Sequence, residues 1–413
     1  MSNFWQKFSL KKAILQSGLG YTQDFIEAIY ARYLGHKKII HYRDGLPVYS
    51  LSTPAIFSKP MAGFSTNLIF RVIQNRNLPS LVSYAVNDVC NAGCEHCSFF
   101  SAVEEKGRHV LNLEEAKKFI NDIQDLGVSV INFVGGEPLL RQDLPQIIES
   151  VDKSKSTTVM FTNGLLLEER AASLKKAGLD SIYVSIDCAD PSEHDKFRRT
   201  PGLFNKAFKG IKTAKKLGFS VGISTTMTPE SYKDGELVKI IELAKKEGIH
   251  EVLVFEAFPT GRYKNRKDLV NNYEWVDEMI ASTRELNKDP SYPGITFFSY
   301  FTSYKSTGCS CGTSYMYLSP YGDVMSCDFN HRKFGNILEK PLWKVWEKLT
   351  TDVEFCSAKW GGCKIKDEDL RTSGVVDDGR KEAIEKFKQK IGEPSQFDSE
   401  SKKNCGPDCN CKK

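Results

Sequence analysis

Between residues 81 and 261 the chain alternates short apolar, β-branched runs with amphipathic helical patterns, and no other feature of the sequence restricts the fold as tightly. The runs fall at 82–87, 128–134, 157–161, 181–186, 220–226 and 251–255. Between them, 113–126, 144–151, 166–177, 204–217 and 237–247 repeat apolar residues at helical spacing. Six strands separated by helices predict parallel βα units in an α/β fold. In such sheets ligands gather at the C-terminal ends of the strands, so the loops there are where functional residues are to be sought.

The loop after the first strand reads CNAGCEHC, residues 90–97. Cys90, Cys94 and Cys97 are close enough in sequence to hold one inorganic core from a single loop. The count of three is informative. A [4Fe-4S] cube normally takes one thiolate per iron, so three thiols leave one iron free for another ligand. A structural zinc wants four protein ligands, commonly as paired CxxC knuckles. His96 would supply the fourth only by folding back from directly beside Cys97. Zinc and plain buried cysteines are the competing readings, and the CxxxCxxC spacing is unusual for either.

The later strand ends carry further candidates. GGEP, Gly135 to Pro138, follows the second strand; its glycines allow close backbone approach to a ligand, and Glu137 offers a carboxylate to an ammonium group. TNG, Thr162 to Gly164, closes the third strand, where Asn163-Gly164 reads equally well as a turn. VSID closes the fourth: Ser185 and Asp187 alternate and share one face, a poor choice for a core unless they meet a polar ligand. His194, Asp195 and Arg198 follow, and Arg198 can pair with a carboxylate. Thr225, Thr226 and Met227 on the fifth strand suit a ligand pocket or simple strand propensity. Cys188 reads as a lone structural thiol.

Taken together these motifs resemble the radical S-adenosylmethionine (SAM) superfamily, whose loop reads CxxxCxxC with an aromatic residue commonly before the last Cys; His96 holds that position here. The resemblance implies a partial (β/α)6 TIM barrel and a [4Fe-4S] cluster on Cys90, Cys94 and Cys97 whose open iron binds the amino and carboxylate groups of SAM. An electron from the cluster then cleaves the sulfonium to a 5′-deoxyadenosyl radical. It also implies that Gly135, Gly136 and Glu137 bind the SAM amino group, and that Asn163, Ser185 and Asp187 contact its ribose or carboxylate. Arg198 of the family stretch HDxxR becomes the carboxylate partner, although Arg199 stands where a glycine is common, which leaves open which arginine serves. PTGR, Pro259 to Arg262, resembles the family's adenine-side turn.

Eight cysteines lie outside this region: Cys309, Cys311, Cys327, Cys356, Cys363, Cys405, Cys409 and Cys411. A hairpin is expected between Cys311 and Cys327, turning at Tyr321-Gly322-Asp323. Cys311, Gly322 and Cys327, with FGNI and LWKVW in 334–346, resemble the SPASM/Twitch auxiliary-cluster domain. That resemblance assigns Cys309, Cys311 and Cys327 to an auxiliary [4Fe-4S] cluster, with Cys356 or Cys363 as its completing ligand. The tail cysteines either join a second auxiliary cluster or belong to a disordered tail. The mixed-charge helical pattern at 380–391 looks like a spacer.

The expected organisation is a helical N-terminal extension at 1–80, a radical SAM core at 81–265, a connecting segment at 266–308, an auxiliary-cluster domain at 309–370, and a helix with a Cys-rich tail at 371–413. The net charge of +5 is spread over mixed-sign segments and leaves no nucleic-acid footprint. Twelve cysteines at metal-ligand spacings argue for cofactors in a reducing cytoplasm rather than a disulfide framework. No apolar stretch approaches the roughly 18 residues of a membrane helix, and no signal-peptide pattern opens the chain. Basic, aromatic-rich helical patterns in the extension either cap the barrel or lie on the inner membrane surface. The expected activity is modification of a peptide or protein, fed by reduced flavodoxin or ferredoxin, with a lipid, isoprenoid or small-molecule substrate as the alternative. A different class, an iron-sulfur electron-transfer or scaffold protein, has no use for the GGEP and VSID strand ends.

Overall fold

The computed structural model describes residue 31 and residues 33–352, apart from 75–76, 101–102, 106, 270–273, 303–305 and 307. The N-terminal hairpin pairs β1 (His41–Arg43) with β2 (Leu46–Val48). Six parallel strands follow: β3 (Leu81–Ala85), β4 (Val130–Val134), β5 (Thr157–Thr162), β6 (Ser181–Ser185), β7 (Ser220–Met227) and β8 (Glu251–Glu256). These are the six strands expected from the alternation, in sequential order. The sheet continues past both edges. β9 (Gly294–Phe297) adds parallel to β8, and β10 (Tyr315–Leu318) adds parallel to β3 on the other side. Antiparallel β11 (Asp323–Met325) and β12 (Lys333–Asn336) complete a ten-stranded sheet. The barrel is therefore partial and open, and the C-terminal hairpin is part of its sheet. The hairpin turns where the sequence places it, with Gly322 at φ 86°.

The helices between strands follow the apolar periodicity. Leu113–Asp125 starts at a capping box, in which the Asn112 side chain accepts from the Glu115 N–H and Glu115 accepts from the Asn112 N–H. It buries Ala116, Phe119, Ile120 and Ile123, one stripe at helical spacing, against the outer face of the sheet. Strand residues on that face, such as Val82, Tyr84, Ile131 and Ile182, join the same core.

On the inner face the end of β2 and the residues after it plug the end where the strands begin. Val48, Leu51 and Ala55 pack on Val130, Val159, Tyr183 and Leu253. Glu251, fully buried there, accepts from Ser50 Oγ (2.8 Å), the Leu51 N–H (2.6 Å), Tyr183 Oη (2.7 Å) and Thr296 Oγ1 (2.8 Å). Burial pushes its carboxyl above the ordinary range, and the four donors offset that cost. With this end stoppered, the lumen opens at the C-terminal strand ends. Among the described residues no helix is long and apolar enough to cross a membrane. The helical patterns before residue 31 and the spacer at 380–391 lie outside the described residues.

Candidate active site

The thiol loop is held on one flank by backbone pairing with the GGEP turn. Gly136 N–H donates to Asn87 O (3.2 Å), Glu137 N–H to Val89 O (2.8 Å), and Asn87 Nδ2 to Glu137 O (2.8 Å). A Cβ on Gly136 would sit 2.1 Å from Val89 O, and one on Gly135 would meet Asn87 O at 2.9 Å. The glycines thus let two loops run backbone against backbone, a demand separate from any ligand's. Glu137, 1% exposed, accepts from Thr162 Oγ1 (2.6 Å), the Asn163 N–H (2.7 Å) and the Leu139 N–H (3.1 Å). Burial pushes its carboxyl up while these donors draw it down. Its carboxylate therefore ties the GGEP turn to the end of β5. Asn163 serves both readings of TNG: its Oδ1 accepts from the Leu165 N–H (2.9 Å), closing a turn, and its Nδ2 donates to Asn91 Oδ1 (2.7 Å) on the thiol loop.

The other flank rests on the helix Pro191–Arg198, where Gly93 N–H donates to Arg198 O (2.9 Å) and Glu95 N–H to Phe197 O (3.3 Å). Asp190 caps the start of this helix, and Asp195 accepts from the Gly202 and Phe204 N–H groups at the start of the next. The geometry separates the two arginines. Arg199 ends the helix at φ 52°, with its chain against Gly93 and its exposed guanidinium 3.8 Å from Glu95. Arg198 is buried and turns inward, with Nε 2.8 Å and Nη2 2.6 Å from Asp187 Oδ2.

Asp187 is the hub of this corner. Its Oδ1 accepts from the Thr226 N–H (3.0 Å), and its own N–H donates to His194 Nδ1 (3.2 Å). His96 Nε2 stands 3.9 Å from Oδ2, with the ring stacked on Phe197 at 5.0 Å. Burial works against the charged form of Asp187, but Arg198 and the neighbouring histidines hold the carboxyl below the ordinary range. Burial brings both His96 and His194 down to about 4, so both are neutral near pH 7. Ser185, on the lumen face as expected, meets Ser224 of β7 hydroxyl to hydroxyl at 3.2 Å.

Each sulfur of the loop meets a nitrogen from another residue: Asn163 Nδ2 at Cys90 (4.0 Å), Arg198 Nη1 at Cys94 (3.6 Å) and the Phe100 N–H at Cys97 (3.5 Å). Cys90 is pushed up to about 12, chiefly by burial and further by Glu137, Cys94 and Cys97, so the thiols face one another in a poorly solvated space. Burial raises Cys94 as well, so these two thiols stay protonated unless a cation takes them, and N–H donors to sulfur are what thiolate ligands receive. Among the described residues no three His, Cys, Asp or Glu side chains close on a point suited to a single ion. Thiolates at the corners of a cube lie farther apart than ligands of one tetrahedral ion. The donor set fits an iron-sulfur cluster. Cys188 is half-buried and pushed up to about 12 by burial, as suits an inert thiol.

A second thiol set lies across the sheet edge. Cys311 is pushed far up by hydrogen-bonded Cys309 and Cys327 and by burial, so both of those thiols lie beside it. Cys327 Sγ also accepts from the Phe329 (3.4 Å) and Asn330 (3.2 Å) N–H groups. Cys356, Cys363 and the tail cysteines lie outside the described residues. Cys97, Cys311 and Cys327 pack into one apolar cluster with Ala85, Phe99, Tyr315 and Tyr317. The turn at 259–262 bridges the two sets. Arg262 N–H donates to Cys97 O (3.0 Å) and its Nη1 to Cys94 O (2.6 Å), while Thr260 Oγ1 donates to Phe329 O (3.0 Å).

Two features of the lumen escaped the sequence. Phe255, Phe258, Phe298 and Phe329 form an aromatic wall, with Phe258 and Phe329 centroids 4.5 Å apart. Tyr315 donates to Asp328, whose carboxyl burial pushes above its ordinary range. A carboxylate directly after Cys327 was the visible signal for the latter; the wall draws on three segments and had none.

An open α/β barrel with a three-thiol loop at its mouth and a thiol-bearing hairpin sewn to its edge defines a class of cluster-bearing enzymes. Residues 84–244 match the Radical SAM superfamily, and residues 309–365 match SPASM, an iron-sulfur cluster-binding domain. An AdoMet-dependent heme synthase of Methanosarcina barkeri is 31% identical over 322 residues, covering 71% of this chain and 91% of that protein. A GTP 3′,8-cyclase of Campylobacter fetus is 31% identical over 218 residues, covering 52% and 67%. Among solved structures, Streptococcus suis SuiB bound to the precursor peptide SuiA superposes with a TM-score of 0.57 at 17% identity, over 73% of this chain and 75% of that one. This last likeness is one of fold. The chain belongs to the radical SAM superfamily. It is an enzyme of that superfamily with a SPASM domain, and its cofactors are SAM and iron-sulfur clusters.

Proposed function

We propose that Cys90, Cys94 and Cys97 hold the SAM-cleaving cluster, and that hydrogen is abstracted from a substrate seated in the lumen between this loop and the auxiliary thiols Cys309, Cys311 and Cys327. The observation that carries this reading is the nitrogen at each loop sulfur, from Asn163 at the end of β5, from Arg198 at the end of its helix, and from the Phe100 N–H just past the loop itself. When bound, the cluster and SAM supply one electron and a 5′-deoxyadenosyl radical. The protein's part is to orient, desolvate and time that chemistry. Gly135 and Gly136 bring the backbone of their turn to the SAM amino group, with Glu137 fixing that turn. Ser185 and Asn163 reach toward the ribose and carboxylate. Arg198 retains N–H groups beyond those engaged with Asp187 and Cys94, and these meet the SAM carboxylate. Cys356 or Cys363 completes the auxiliary set, and reduced flavodoxin or ferredoxin is the electron donor. The division at 81–265 and 309–370 separates the two cofactor-binding regions.

For the substrate, the aromatic lumen wall and the heme synthases among the relatives favour an apolar small molecule, tetrapyrrole-like or lipid-like, ahead of the peptide or protein implied by the SPASM resemblance. The test is anaerobic incubation of cluster-loaded protein with SAM and a strong reductant, quantifying 5′-deoxyadenosine. Candidate substrates deuterated at aliphatic carbons are then added, and the one that transfers deuterium into 5′-deoxyadenosine is the substrate. No 5′-deoxyadenosine from loaded protein would instead assign the chain to electron transfer or scaffolding.

A further inference from the structure

We propose that Arg198 and Asp187 set the reduction potential of the cluster on Cys90, Cys94 and Cys97, and that they do so with opposite signs. The inference rests on the cluster assignment above and adds a role to residues that the family resemblance places only on SAM. Arg198 reaches the thiol loop twice. Its carbonyl accepts the Gly93 N–H at 2.9 Å, and its Nη1 donates to Cys94 Sγ at 3.6 Å. The same guanidinium is clasped by Asp187 Oδ2 through Nε (2.8 Å) and Nη2 (2.6 Å). Asp187 is itself anchored on both sides, by the Thr226 N–H at Oδ1 (3.0 Å) and by His194 Nδ1 at its own N–H (3.2 Å). The charge pair is therefore fixed against the sulfur rather than wandering near it.

Arg198 is 5% and Asp187 3% exposed, so water screens little of their field at the sulfur. One-electron reduction adds a negative charge to the cluster without a proton. A cation and an N–H donor beside a ligating sulfur favour that more negative form and raise the potential; an anion at the same corner disfavours it. Arg198 pulls the potential up, and Asp187, by partly neutralising the guanidinium, pulls it back. The pair makes the driving force for SAM cleavage adjustable without altering a thiol.

The test uses the full chain with its clusters reconstituted anaerobically. It is reduced stepwise at one pH against an electrode while electron paramagnetic resonance follows the component whose spectrum changes on adding SAM, with iron content measured for each variant. Arg198→Gln is expected to lower the midpoint potential of that component, Asp187→Asn to raise it, and Arg198→Lys to fall between Arg198→Gln and the parent. If Arg198→Gln does not load the cluster, Asp187→Asn above the parent and Arg198→Lys below it decide the matter. Shifts of the same sign in the arginine and aspartate variants, or no shift in variants carrying full iron, would overturn the inference while leaving the cluster assignment intact. A parent protein with no SAM-sensitive component would overturn the functional reading beneath it.

Discussion

Replacing Gly136 with alanine tests the thiol loop's support more cleanly than removing a cysteine, because no ligand is touched. The added Cβ would lie 2.1 Å from Val89 O and 2.5 Å from Val89 C. Ordinary contact begins near 3.4 Å, so the two strands of backbone must part by about 1.3 Å. Neither can do so alone, since Glu137 N–H holds Val89 O at 2.8 Å and Asn87 Nδ2 holds Glu137 O at 2.8 Å. Overpacking of this kind costs about 3 kcal/mol. The displacement falls on the residues immediately before Cys90. The expected result is a melting temperature several degrees lower, a loss of about four iron atoms per chain, and disappearance of the SAM-sensitive cluster signal with the auxiliary signal retained. Iron and sulfide analysis beside electron paramagnetic resonance reads both outcomes. Full iron with an unaltered SAM response would refute the claim that this backbone contact positions the thiols.

Cys327→Ala should do the converse, removing auxiliary iron while the SAM-sensitive signal survives, because Cys327 contributes to the hairpin set and not to the loop; unchanged iron content would contradict the auxiliary assignment. Asp323→Asn probes the seam between hairpin and barrel. Burial disfavours the charged Asp323, but Arg108, Asn336 and Lys333 outweigh it and hold the carboxyl below its ordinary range. A depressed folded value stabilises the protein above the unfolded pKa of about 3.9, and the contribution is lost as pH falls through the folded one. Chemical denaturation should therefore show the variant about 2 kcal/mol weaker at pH 7, with the gap closing below about pH 4.

Much of the barrel was legible because each strand and helix announces itself through its own periodicity, and each cluster of cysteines through its spacing. Val130–Val134 and Leu113–Asp125 fall within two residues of the runs expected at 128–134 and 113–126. β9 was missed because GITF is four residues long and stands after Pro293, too short for a period to show. The parallel pairing of β10 with β3 joins residues more than 230 apart and has no local signature. At the site, residue types were readable but partners were not. The sequence shows that Glu137 is a carboxylate, yet only the fold shows it saturated by Thr162, Asn163 and Leu139. Likewise nothing in RR at 198–199 tells which guanidinium turns inward; that is decided by where the helix ends.

β10 lies against the one side of β3 that the barrel itself leaves unpaired, with Tyr315 to Leu318 matching Leu81 to Tyr84. A bare, apolar strand margin invites another chain to pair with it. The auxiliary module thus guards the barrel against self-association in addition to whatever iron it carries. Deleting it to obtain a minimal catalytic fragment would expose that margin and yield aggregates.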